Sequence, residues 1–140
     1  MKKYLGIDLG SKTIGLAISE SGIIAHSLTT YRFRENEYQE AKDMIIKVID
    51  EHQITDIVLG YPKHMNNDIG IRGKISEDMK NLIIKERDVN VVLWDERLST
   101  KSAISTMIQG KQSRNKQKQK KDELAAVFIL QNYLDYKGDH

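Results

Sequence analysis

The chain contains no cysteine and a single proline, Pro62, and only 6% of its 140 residues are aromatic. Without cysteine there is no disulfide framework, no thiolate metal site and no cysteine nucleophile, which fits a reducing compartment. One proline and scattered glycines mark no linker. No apolar run approaches the roughly 18 residues that a membrane span needs. The start, Met1-Lys2-Lys3-Tyr4, passes at once to Gly6 and Asp8 without the apolar core of a secretory signal. The expectation is a cytoplasmic protein with no membrane partner. Its length is close to the commonest for one domain and long enough to bury a core without staples, so residues 1–140 are read as a single domain.

Net charge is also small, at +2, but it is unevenly spread. Lys111, Arg114, Lys116, Lys118, Lys120 and Lys121 lie between Gly110 and Lys121 with no acidic residue among them, which leaves the rest of the chain at −4. A polar, basic stretch without apolar periodicity reads as a flexible loop at about 110–121, and its natural partner is a polyanion. The bland alternative is a solvated basic loop with no ligand.

Elements alternate along the chain. Tyr4 to Leu9, Thr13 to Ser19 and Ile23 to Tyr31 read as three antiparallel strands separated by turn-like segments. From Glu37 to Gln53, Ala41, Met44, Ile45, Val48 and Ile49 recur at helical spacing. Ile54 to Leu59 is a short apolar strand, and Gly60 to Gly73 reads as a long loop. Ile75, Met79, Leu82 and Ile83 mark a second helix, and Val89 to Trp94 a further strand. Ser99 to Ile108 is expected as a short helix and Asp122 to Tyr136 as a longer one.

Candidate chemistry lies in carboxylates placed where carboxylates are unusual. Asp8 interrupts an apolar strand in which Leu5, Ile7 and Leu9 share one face and Gly6 and Asp8 the other. Aspartate is depleted in strands and costly to bury alone, although a strand-end Asp can also serve only to accept turn hydrogen bonds. The flanking glycines would let a bulky ligand approach the backbone. Asp95 and Glu96 follow the Val89 to Trp94 strand on opposite faces, and periodicity does not choose between them. Asp122 precedes Ala125 and Ala126; alone it reads as a helix N-cap, but the alanines would let its helix lie close to the sheet. Tyr61 and Asn66-Asn67-Asp68 could touch a base or sugar, or simply form a turn. Trp94 reads as core.

Gly6-Ile7-Asp8-Leu9-Gly10-Ser11-Lys12 with Gly15-Leu16-Ala17, Gly60-Tyr61-Pro62 with Met65 and Gly70, Asp95-Glu96-Arg97-Leu98-Ser99-Thr100, and Asp122 with Ala125-Ala126, Ile129-Leu130-Gln131 and Tyr133-Leu134 resemble one family nearly end to end. It is the bacterial Holliday-junction-resolvase-like family, also described as nucleases that process the 5′ end of precursor 16S ribosomal RNA. Thr13 stands where the resemblance leads one to expect arginine, and Glu20 where it leads one to expect aspartate. The resemblance implies an α/β, ribonuclease H-like fold with a five-stranded mixed sheet, its first three strands antiparallel, flanked by helices. It also implies a catalytic and metal-binding set of Asp8, Glu96 and Asp122, and it is the resemblance that selects Glu96 over Asp95.

Oxygen ligands of this kind suit Mg²⁺ or Mn²⁺, with two ions expected, whereas His26, His52, His64 and His140 have no zinc-like spacing. The basic segment would then neutralise phosphates, with Lys12, Lys63 and Arg97 extending the path. The expected substrate is structured nucleic acid, precursor ribosomal RNA before junction DNA. No dimer stripe is evident, so a monomer is favoured over a dimer. Two other classes compete. The first glycine-rich segment also looks like the phosphate loop of actin-like and sugar-kinase-like ATPases, but these close two such domains on the nucleotide, and Ser11 separates Gly10 from Lys12 where a Walker loop needs glycine before lysine. A non-catalytic RNA-binding assembly factor would bind RNA in a salt-dependent way without cutting it.

Overall fold

A computed structural model describes residues 2–61, 70–95 and 114–138. Strands β1 (Tyr4–Leu9), β2 (Thr13–Ser19) and β3 (His26–Arg32) are followed by helix α1 (Tyr38–His52), strand β4 (Asp56–Tyr61), helix α2 (Gly70–Glu86), strand β5 (Asn90–Asp95) and helix α3 (Arg114–Gly138). The five strands form one sheet in the order β3-β2-β1-β4-β5. Its β1–β2 and β2–β3 pairs are antiparallel and its β1–β4 and β4–β5 pairs parallel, which is the mixed sheet expected from the sequence.

Alternation along the strands sorts the core into two layers. Leu5 and Ile7 of β1, Ile14 and Leu16 of β2, and Ile57 and Leu59 of β4 pack against Ala41, Ile45 and Val48 of α1 and Met79 and Ile83 of α2. On the other face Tyr4, Ala17 and Val58 meet Ala126, Ile129, Leu130 and Leu134 of α3. Helix α1 forms because its apolar residues share one stripe, and it stops at Gln53, whose left-handed backbone (φ 55°) lets its N–H close on the Ile49 carbonyl. Two ion pairs join α1 to the end of α2. Arg87 grips Asp50 with Nε and a terminal nitrogen, each at 2.8 Å, and the largely buried Lys42 amine reaches Glu86.

Two boundaries differ from expectation. Helix α3 begins at Arg114, so Arg114, Lys116, Lys118, Lys120 and Lys121 lie on a helix where the sequence suggested loop. Lysine, arginine and glutamine are good helix formers, and the lack of an apolar stripe means only that this part of the helix has no packed face to announce it. Helix α2 likewise begins at Gly70, inside the expected loop, because the apolar stripe that marks it starts later than the helix does. Residues 110–113 and the expected helix at 99–108 lie outside the described residues.

At Gly6, α3 comes close to the sheet. A Cβ placed on Gly6 would stand 2.7 Å from the Leu130 Cβ and 2.9 Å from the Ala126 carbonyl oxygen. The sequence reading gave this glycine to a ligand; the structure gives the space to a helix. Gln131 then pins α3 sideways, accepting the Ala25 N–H at 2.8 Å and donating to the Ile23 carbonyl at 2.8 Å, which fixes the β2–β3 loop.

Gly6→Ala is therefore expected to destabilise the fold by about 1–3 kcal/mol through overpacking, read as a lower midpoint in urea. A second expectation concerns acid. The hydrogen bond from Arg87, reinforced by its charge, holds the Asp50 carboxyl below the usual carboxylate range against a smaller opposing effect of burial. A depressed folded pKa means stabilisation that is present above the ordinary aspartate value and lost as pH falls through the lowered one. Asp50→Asn should thus lower Tm at neutral pH and make the loss of Tm between about pH 5 and pH 2 shallower than in the wild type.

Candidate active site

β1, β4 and β5 run parallel, so their C-terminal ends open on one rim of the sheet. Asp8 stands at that rim, half-buried, one residue from the end of β1. Its face follows from its neighbours. Ile7 and Leu9 pack into the α1/α2 layer and Gly6 lies under α3, so Asp8 shares the α3 face. Asp8 pairs with Gly15 on β2, and Gly60, which follows Leu59, the partner of Ile7, lies beside it on β4. Asp8 therefore has a residue without a side chain on either hand.

Helix α3 runs towards the same rim. Its Tyr133 ring lies 6.5 Å from that of Tyr4, and the Lys137 amine donates to the Tyr4 hydroxyl at 2.8 Å, whereas Ala126 and Leu130 lie over Gly6. The helix thus runs antiparallel to β1, its C-terminal end over the start of the strand. Asp122 precedes Ala126 by four residues, about 6 Å along the helix on the same side. Asp8 follows Gly6 by two, about 6.6 Å along the strand. Both displacements run towards the same rim of the sheet, so position 122 lies on the Asp8 side of the Gly6 contact.

The β5 end shows which face Asp95 takes. Leu93 packs into the α1/α2 layer and Trp94 into the α3 layer. Asp95, the next residue and the partner of Tyr61, therefore lies on the α1/α2 side, the face opposite Asp8. Glu96, Arg97, Lys63 and Lys111 lie outside the described residues, as do Asn66, Asn67 and Asp68. Lys12 is exposed on the β1–β2 turn at the Asp8 rim. Arg114, Lys116, Lys118, Lys120 and Lys121 occupy the start of α3; from Asp122 back to Arg114 the helix runs about 12 Å further in the direction of the rim.

Tyr61 is not a platform for bases. It is buried, and its hydroxyl donates to a Glu77 carboxylate oxygen at 2.9 Å. Burial first, and the Glu77 carboxylate second, push its phenol above the ordinary tyrosine value. Together with Ser76, which is buried and donates to the Gly60 carbonyl at 3.2 Å, it ties the end of β4 to α2. Neither Ser76 nor Glu77 stood out in the sequence, because one hydroxyl and one carboxylate in a helical pattern carry no signal until the facing strand is known. Trp94, read from its strand pattern as core, is half-buried and packs against the edge of the α3 layer, edge-on to Tyr133 at 5.4 Å and tilted against Tyr136 at the same distance.

This arrangement can now be set beside known proteins. The model of the RuvX family, described as Holliday junction resolvase, matches residues 2–136. The chain belongs to the RuvX family. A relative from Onion yellows phytoplasma (strain OY-M), named "Putative pre-16S rRNA nuclease", is 52% identical over 133 residues, covering 94% of this chain and 88% of the relative. Relatives of the same name from Oceanobacillus iheyensis and Staphylococcus aureus are 44% and 43% identical over 136 and 135 residues, covering 96% and 95% of this chain and 99% and 95% of theirs. Among solved structures, Thermus thermophilus RuvC in complex with a Holliday junction substrate superimposes with a TM-score of 0.65 at 13% identity, covering 98% of this chain and 97% of that one. A further T. thermophilus RuvC structure gives 0.62 at 12% identity, covering 96% of each chain. At that identity the likeness concerns the fold, which is ribonuclease H-like.

Because Tyr61 and Glu77 serve the scaffold, Tyr61→Phe should lower Tm by about 3–6 °C while leaving nucleic-acid affinity unchanged within twofold. A large loss of affinity without a loss of stability would restore Tyr61 to the binding surface.

Proposed function

We propose that this RuvX-family chain is a metal-dependent nuclease, one domain over residues 1–140 that works in the cytoplasm as a monomer, with Asp8, Glu96 and Asp122 as its acids. The observation that supports the proposal is the antiparallel crossing of α3 over β1, which runs the start of the helix, and with it position 122, towards the rim where Asp8 stands. Asp95 takes the face of β5 opposite Asp8, and it is the resemblance of Asp95-Glu96-Arg97-Leu98-Ser99-Thr100 to the family that supplies Glu96 as the third acid. Among the described residues, no helix is long and apolar enough to cross a membrane.

The donor set fits a hard divalent cation. Every candidate ligand is a carboxylate, the class that Mg²⁺ and Mn²⁺ prefer, and Gly15 and Gly60 beside Asp8 leave the sheet surface free of competing side chains. Two bound ions would supply a nucleophile from water at neutral pH and offset charge on the leaving oxygen. The protein's own part is to hold its acids rigidly on a strand and a helix locked together at Gly6, and to offer cations at the start of α3 and at Lys12 to the phosphates on either side of the cut. The names of the relatives favour precursor 16S ribosomal RNA as substrate, and the family description makes a four-way DNA junction the second candidate.

The test is cleavage of end-labelled precursor 16S RNA and of a four-way DNA junction with Mg²⁺ or Mn²⁺, by wild type and by Asp8→Asn. We expect metal-dependent cutting of the RNA that falls at least about 100-fold in the variant, the scale on which loss of one catalytic group acts. Symmetric cutting of the junction alone would keep the mechanism and replace the substrate, whereas salt-sensitive binding of both without cutting would leave an RNA-binding assembly factor. In parallel, metal at 100 times its Kd should stabilise the wild type by about 2.7 kcal/mol, a shift that Asp8→Asn loses.

A further inference from the structure

Arg32 closes β3, the edge strand two places from β1. Asp8 pairs with Gly15, and Gly15 with Thr30, so these three residues form one row across three strands. Arg32 lies two residues beyond that row, opposite Thr13, towards the rim that carries Asp8. Ile14 and its partner Tyr31 pack into the α1/α2 layer, so alternation puts Gly15, Thr30 and Arg32 on the α3 face with Asp8. Two strand spacings across and two residues along place the Arg32 backbone about 12 Å from that of Asp8, a separation that a long side chain narrows.

The guanidinium is available and its base is fixed. Arg32 is exposed and forms no ion pair within the described residues, while the neighbouring Arg34 is held by Glu40. The acids of the adjoining stretch, Glu35 and Glu37, are exposed, and neither is paired with Arg32. The Phe33 N–H donates to the Lys12 carbonyl at 2.9 Å, the Asn36 N–H to the Ser11 carbonyl at 2.9 Å, and the Gly10 N–H to the Thr13 carbonyl at 2.8 Å. These bonds lash the end of β3 to the β1–β2 turn, so little backbone order remains to be lost when a ligand binds.

We propose that Arg32 binds a backbone phosphate of the nucleic-acid substrate beside the Asp8 site, with Lys12 at the same rim. The proposal rests on the nuclease reading above and adds a contact to it. A planar guanidinium suits a phosphate because two parallel N–H donors meet two oxygens, and a phosphate contact positions the chain without reading sequence.

The test measures the affinity of Asp8→Asn, alone and combined with Arg32→Ala, Arg32→Lys or Lys85→Ala, for end-labelled precursor 16S RNA and for the four-way junction over a series of KCl concentrations. Lys85 is an exposed cation at the far end of α2 and controls for net charge. Arg32→Ala should weaken binding roughly five- to tenfold and flatten the slope of log K against log salt by about 0.7 to 0.9, one phosphate's share, whereas Arg32→Lys keeps the slope and Lys85→Ala changes neither. In the otherwise wild-type protein Arg32→Ala should raise KM and spare kcat, with Tm unchanged. An unaltered slope in Arg32→Ala, or an equal loss in Lys85→Ala, overturns the proposal. If the wild type cuts and Arg32→Ala behaves like it, only this inference fails; if the wild type neither binds nor cuts, the nuclease reading fails and takes this contact with it.

Discussion

The contact between α3 and β1 at Gly6 is the constraint from which the candidate site follows. A helix can approach a strand this closely only where a side chain is missing, and here the strand supplies a glycine and the helix an alanine one turn from the contact. Once that distance is fixed, the direction of the helix does the rest. The helix runs antiparallel to β1, so positions before Ala126 lie on the same side of the contact as positions after Gly6. A bulkier residue at position 6 would lift the helix from the sheet.

The parallel half of the sheet supplies the other requirement, a rim on which several chain ends meet. A strand inserted in parallel beside β1 brings its C-terminal end to the same side as Asp8, and β4 and β5 both do so. Ser76 and Glu77 then hold the end of β4 against α2, where its exposed backbone would otherwise fray. The antiparallel half contributes differently. Its β1–β2 turn and the end of β3 are tied together by backbone hydrogen bonds, and they carry cations rather than acids to the rim.

Much of this was legible in the sequence because it is periodic. Leu5, Ile7 and Leu9 announced β1 and its faces, and the stripe from Ala41 to Ile49 announced α1, since in both a regular spacing repeats. What escaped was pairwise. Gly6 was recognised as permissive, but whether it admits a ligand or a helix depends on which element faces it. Tyr61 carries the same aromatic signal buried or exposed, and only the place of Glu77 decided. The first two turns of α3 have helix formers and no apolar face, so composition suggested a loop. Arg32 was invisible for a similar reason: its position beside the site is a property of register, across a β2–β3 ladder that shifts between Leu16 and Ala17. Thr13, where the family resemblance led us to expect arginine, turns out to be the residue opposite it.

Charge bears on where cations can stand. Carboxylates drawn together repel one another, and a cation set among them would relieve that repulsion while competing with any metal. Basic residues kept at the margins avoid the conflict. Lys12 on its turn and Arg32 at its strand end stand at the margin of the rim that carries Asp8, where a cation can act on a polyanion before it arrives. The low net charge of +2 is thus a sum that hides a local excess, for residues 111–121 carry six cations and no acid while the rest of the chain stands at −4.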